Sequence, residues 1–172
     1  MLGTGTQYPI ADSFSPPSSV SSSGCLDGAG RTTRLLARWA ALREQGLPWQ
    51  ERYRKFARIE TSDRFTLAPA LRAIRKPAGQ PLEIVVSGDA PLLAGNATEF
   101  QVLANGVPVP MLAVELHSER SPLGIWSQSD AEGRLRFMPP FGVAWLLHAT
   151  LLEPDGPAGW QSRFVTLAFD AS

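Results

Sequence analysis

Phe100-Gln101-Val102-Leu103-Ala104-Asn105-Gly106 is the stretch that decides the fold. Phe100, Val102 and Ala104 fall on alternate positions, the period of a strand with one buried face. Asn105-Gly106 then supplies two residues that tolerate a positive φ, which marks a turn. The short Val107-Pro108-Val109-Pro110 piece that follows predicts a connection longer than a minimal hairpin. Working outward, the same alternation recurs. Leu82, Ile84 and Val86 share a face upstream; Leu112, Val114 and Leu116 share one downstream, with Glu115 and His117 opposite. Ile125 to Ser127 and Leu135 to Phe137 flank Asp130-Ala131-Glu132-Gly133, whose Asp and Gly suit a turn. Val143, Trp145 and Leu147 form a sixth inward set, and Val165, Leu167 and Phe169 a seventh. Seven short strands with no helix between them exclude a parallel α/β sheet. They predict a mainly β fold, an antiparallel Ig-like or transthyretin-like β-sandwich.

Upstream of Pro81 the period is helical. Leu35, Trp39 and Leu42 stand at i, i+4 and i+7; Gly46 offers a left-handed cap and Pro48 a first helical position. Trp49, Tyr53 and Phe56 repeat the spacing, with Arg52, Arg54, Lys55 and Arg58 on the other faces. A helical hairpin is expected, its apolar stripe packed on the sandwich of its own chain or on a second copy. Residues 1–30, rich in Gly, Ser and Pro, predict an irregular segment. The division is therefore 1–30 irregular, 31–80 helical hairpin and connector, and 81–172 sandwich domain.

The 172 residues carry sixteen Lys/Arg and sixteen Asp/Glu, so the formal net charge is zero. The distribution is uneven: residues 31–76 hold twelve basic against four acidic side chains, residues 77–172 four against ten. The two regions can attract each other, and nothing in this pattern requires nucleic acid. No apolar run approaches the ~18 residues of a membrane span. Met1-Leu2-Gly3-Thr4-Gly5 lacks the basic and apolar regions of a signal peptide, which by itself predicts a cytoplasmic chain. Cys25, alone, forms no internal disulfide.

Chemistry-bearing motifs are sparse. There is no Gly-x-Ser-x-Gly elbow, no phosphate-binding Gly-x-x-x-x-Gly-Lys, and no dinucleotide fingerprint after Gly3-Thr4-Gly5 or Gly28-Ala29-Gly30. No enzymatic activity and no cofactor are expected. His117 and His148 fall on outward faces of different strands, where solvated histidines are ordinary. A metal role would need both on one sheet face beside a carboxylate such as Glu115. Trp126, Trp145 and Trp160 occupy apolar-periodic positions and are expected in the core, with Trp160 after a Pro/Gly loop the one to test for exposure.

Several segments carry a resemblance. Pro77-Ala78-Gly79-Gln80-Pro81-Leu82-Glu83-Ile84-Val85, Leu103-Ala104-Asn105-Gly106-Val107-Pro108, Ser129 through Phe137, Trp145-Leu146-Leu147 and Trp160 through Phe169 resemble, in that order, a family of bacterial periplasmic proteins known as domain of unknown function 4198. Its members are often labelled as associated with nickel or cobalt uptake. Glu51-Arg52-Tyr53-Arg54-Lys55-Phe56-Ala57-Arg58 is similar to the family's basic-aromatic helix, and Gly3 through Pro9 to part of its first β-region. Family members usually carry a signal peptide and a His-containing N-terminal segment; here neither is present, and Leu151 stands where a His often follows Trp-Leu-Leu. The resemblance implies a shortened member acting as a non-enzymatic extracytoplasmic accessory or binding module, periplasmic and linked to transition-metal uptake. The contrasting expectation is a cytosolic interaction module docking a partner through the basic helices. Expected partners are a protein or a second copy, met by Trp49, Tyr53, Phe56, Arg52 and Lys55. Any divalent metal would bind weakly, at His148, His117 and Glu115.

Overall fold

The computed structural model describes residues 31–157 and 159–172. The expectations for residues 1–30, Cys25 included, lie outside the described residues. In chain order the elements are α1 (Arg31–Glu44), β1 (Gln50–Glu60), α2 (Ala68–Ile74), β2 (Glu83–Val86), β3 (Thr98–Ala104), β4 (Val107–Pro108), β5 (Ala113–Ser118), β6 (Ser121–Gln128), β7 (Arg134–Phe137), β8 (Ala144–Asp155) and β9 (Gly159–Asp170).

The strands form two open sheets. One has five strands in the order β1-β9-β8-β5-β6; in the other β3 is central, with β2 on one side and β7 and β4 end to end on the other. Val114, Leu116, Trp145, Leu147, Val165, Leu167 and Phe169 of the first sheet join Ile84, Val86, Phe100, Val102 and Leu135 of the second in one buried cluster. Phe100 meets Phe169 at 5.4 Å between ring centroids, and Phe137 meets Trp145 at 4.9 Å. Two sheets stacked on a shared apolar core are consistent with a β-sandwich. All seven expected strands are present, and every pair among β2–β9 is antiparallel.

Three expectations are corrected. The Asn105-Gly106 connection is a minimal two-residue hairpin: Ala104 pairs with Val107, and both turn residues have positive φ, 50° and 78°. Residues 68–74 of the expected connector form α2, with Pro69 in its first turn. Most consequential, the second half of the helical hairpin is a strand. β1 runs parallel to β9, from Gln50 opposite Gly159 to Glu60 opposite Phe169, so the five-stranded sheet is mixed and begins before residue 81.

The reason lies in the inward charges of β1. Glu60 and Arg75, whose side chains are 3% and 4% exposed, form an ion pair with Arg75 Nε and Nη2 donating to Glu60 Oε1 at 2.9 and 2.6 Å. Arg75 Nη1 also donates to the carbonyls of Gly88 and Ala90. Two residues back, Arg58 donates to the Ile74 and Lys76 carbonyls and lies 3.6 Å from the buried Glu83 carboxylate. Glu83 in turn accepts the Ala78 and Gly79 N–H groups at 2.8 and 3.2 Å. Phe56, on the same side of β1, packs against the apolar cluster. Buried charges are tolerated because nearly every hydrogen-bonding position is filled. Beyond the strand, Asp63 accepts the Thr66 hydroxyl and the Phe65 N–H, each at 2.9 Å, which holds its carboxyl below the usual carboxylate range.

The first half of the hairpin is helical as expected. Gly46, at φ 63°, ends α1, with its N–H donating to the Arg43 carbonyl and that of Leu47 to Leu42. Leu35 and Trp39 are half-buried and Leu42 is buried. Trp39 meets Trp49 edge-on at 5.3 Å; Trp49 stacks on Trp160 at 5.0 Å, with Arg38 over the same indole at 5.2 Å. Such aromatic pairs contribute about 0.5–1.5 kcal/mol each beyond area burial.

Glu60→Ala would leave the buried Arg75 guanidinium without its counter-charge. We expect a loss of about 3–5 kcal/mol in unfolding free energy, measured by urea denaturation, with Glu60→Gln losing less because it keeps an acceptor.

Candidate functional site

The five-stranded sheet has an outer face that the second sheet does not cover. Register sets its side chains in rows across the strands. Trp126 of β6 lies opposite Glu115 of β5, Glu115 opposite His148 of β8, His148 opposite Thr166 of β9, and Thr166 opposite Ala57 of β1. The next row runs from His117 through Leu146 and Ala168 to Ile59. Toward the other end Phe164 faces Lys55, and Ser162 faces Tyr53. There α1 closes the face through the stack of Trp39, Trp49 and Trp160.

At the centre of this face the three expected metal candidates come together. His117 Nε2 lies 3.1 Å and His148 Nδ1 3.7 Å from the same oxygen, Glu115 Oε2. The two histidines are neighbours because β5 and β8 are adjacent antiparallel strands, with Glu115 and His148 in direct register and His117 two residues further along β5. Gly124 of β6 completes the geometry, since a β-carbon there would lie 2.2 Å from Glu115 Oε1 and 2.7 Å from its Cγ. The missing side chain is what lets Glu115 fold across the neighbouring strand. Among the described residues, no group of three or more His, Cys, Asp or Glu side chains is arranged to hold a metal ion. The carboxylate instead serves both imidazoles as their common partner.

The five expected partner-binding residues do not share a face. In a helix Trp49, Tyr53 and Phe56 would form one stripe; in strand β1, alternation sends Tyr53 and Phe56 to opposite faces. Tyr53 and Lys55 point outward and are exposed, with Tyr53 edge-on to Phe164 at 6.4 Å and Lys55 over both rings. Phe56 points into the core. Arg52 pairs with Asp155 beside an open hollow lined also by Gln50, Glu51 and Trp160. Trp49 is committed to its stack on Trp160. The basic-helix docking surface is thereby corrected, because half of that helix pair is β1.

The tryptophans divide differently from expectation. Trp145 and Trp160 are buried, whereas Trp126 is 64% exposed on the outer face. Its place on the terminal strand of the sheet accounts for this, and Gly124 two residues before it was the available signal. Sequence reasoning also missed Ile59 and Leu146, exposed apolar residues of the same face.

The profile of the family described as Domain of unknown function (DUF4198) matches residues 39–153, two thirds of the chain. This chain belongs to that family. The matched region of this DUF4198 member runs from Trp39 in α1 to Glu153 in β8, and so contains the Glu115, His117 and His148 triplet. No curated protein and no solved structure matches the DUF4198 chain.

Gly124→Ala should push the Glu115 carboxylate away from both imidazoles. We expect altered His117 and His148 ring signals by NMR, with the melting temperature lowered by no more than a few degrees, because the displaced carboxylate can swing into water.

Proposed function

We propose that this DUF4198 member is a non-enzymatic accessory or binding module acting outside the cytoplasm. Its scaffold is read as an Ig-like or transthyretin-like sandwich, and its recognition surface as the outer face of the five-stranded sheet. The observation that supports this reading most is the row of exposed Trp126 with half-buried Glu115 and His148, flanked by His117, Leu146 and Ile59. Aromatic and aliphatic side chains there offer desolvation energy, and the Glu–His cluster offers directional polar contacts, the mixture found at the centres of protein-recognition surfaces. The periplasmic location and the link to transition-metal uptake rest on the family resemblance. Under this reading metal enters as a weak ligand of the His117–Glu115–His148 cluster.

Two measurements test the proposal. A photo-cross-linking residue at position 126 or 146 should capture a discrete partner in cells, whereas the same residue at Arg136, exposed on the second sheet, should not. Equal capture from both positions, or from neither, sinks the assignment of the face. In calorimetric titrations nickel, cobalt and zinc should show no submicromolar stoichiometric binding. Tight binding abolished by His148→Ala would make metal the primary ligand instead.

A further inference from the structure

We propose that α1 is a hinged flap that swings off the five-stranded sheet as a unit, uncovering the stacked Trp49 and Trp160 indoles while the sandwich stays folded. The helix is seated by little. A helix lying on a core normally turns a continuous apolar stripe inward. In Arg31–Glu44, among the described residues, Leu42 alone is buried, and Leu36 is 62% exposed. Isolated helices of this length are marginal in water, so α1 persists only while its seat holds.

That seat is imperfect. Arg38 Nη2 donates to the Gly156 and Gly159 carbonyls, and the guanidinium lies 5.2 Å over the Trp160 ring. Its Nε and the Trp160 Nε1, however, are buried with no hydrogen-bond partner among the described residues. A buried donor left unmet costs free energy that water returns once the contact opens. A hollow also remains between helix and sheet, lined by Arg34 and Leu35 of α1 and by Leu152, Glu153 and Pro154 of β8. The closed arrangement gains aromatic and cation–π contacts, and the open one gains two hydrated donors. These opposing terms leave a shallow balance between the two.

The parting line runs between Trp39 and Trp49. Trp49 stays with the sheet: its Nε1 donates to Glu51 Oε2 at 2.9 Å, Glu51 also accepts the Ser162 hydroxyl, and its ring stacks on Trp160 with planes 14° apart. Trp39 meets Trp49 only edge-on and leaves with the helix. Between them Gln45, Gly46, Leu47 and Pro48 are all exposed. Gly46 holds φ 63°, and a β-carbon there would meet nothing within 4 Å, so the hinge has room to turn. Trp160 lies on the same side of β9 as Ser162 and Phe164, so opening adds two indoles to the outer face of the sheet. That use rests on the recognition reading of the face; the opening itself does not.

Hydrogen–deuterium exchange of the full chain, resolved by peptide, tests the flap without any partner. Amides of residues 31–46 should exchange at least about a hundredfold faster than those of β8 and β9, yet more slowly than a free peptide of the same sequence. Arg38→Ala and Trp39→Ala should each speed exchange in 31–46 by about tenfold and leave β8 and β9 unchanged. Arg38→Lys, which keeps the cation and loses the fork of donors, should fall between. Hydroxyl-radical footprinting should show Trp160 oxidised faster in Arg38→Ala than in the wild type. Four results each overturn the proposal: exchange in 31–46 no faster than in β8 and β9, exchange there as fast as in the free peptide, variants that speed β8 and β9 equally, or a Trp160 indifferent to Arg38→Ala.

Discussion

The buried Glu60–Arg75 pair is the constraint on which the arrangement of the N-terminal third depends. An isolated carboxylate at that depth would cost several kcal/mol, so β1 is held inward only where Arg75 can reach it. Arg75 in turn is placed by the end of α2 and by the Gly88 and Ala90 carbonyls of the β2–β3 connection. Arg58 and Glu83 repeat the device one pleat away. With β1 fixed, β9 gains its second neighbour, Phe56 reaches the core, and Tyr53, Lys55 and Ile59 are displayed on the opposite face. The tryptophan stack that seats α1 begins at Trp49, immediately before this strand.

These same charges explain why the region was misread from sequence. A strand announces itself by alternating apolar residues, but the inward positions of β1 include Arg58 and Glu60. Their partners, Glu83 and Arg75, lie 25 and 15 residues further along the chain, beyond the reach of a local pattern. Trp49, Tyr53 and Phe56 meanwhile happen to fall at helical spacing. The rest of the sheet was legible because its buried face is apolar at every second residue, as in Val114 and Leu116 or Val165 and Leu167. Gly46 and the Asp130–Gly133 turn were legible for a local reason: Gly46 and Gly133 hold positive φ, and the Asp130 carboxylate accepts the Glu132 and Arg134 N–H groups.

The central cluster was half legible. Alternation assigned His117 and His148 to outward faces, and Glu115 was the carboxylate named beside them. Whether the two histidines shared a face depended on β5 and β8 being neighbours, although 25 residues, with two other strands among them, intervene. Strand order is a global property that one sequence does not print. Trp126 illustrates the same limit, since a Trp between Ile125 and Ser127 looks the same on a central strand and on an edge strand.

The parallel pairing of β1 with β9 also bears on how the chain is made. Gln50 meets Gly159 across 109 residues of sequence. On a ribosome β1 emerges long before β9, its sheet partner among the described residues, and closing so long a loop carries a larger entropic penalty than any pairing among β2–β9. The pairings among β2–β9 span shorter separations and can form first, with β1 sealing the sheet last. Until then Arg58 and Glu60 remain hydrated rather than buried, and their charges keep the waiting segment soluble. The feature that disguises β1 as something other than a strand therefore also protects it during synthesis, when an unpaired apolar strand would invite misassembly.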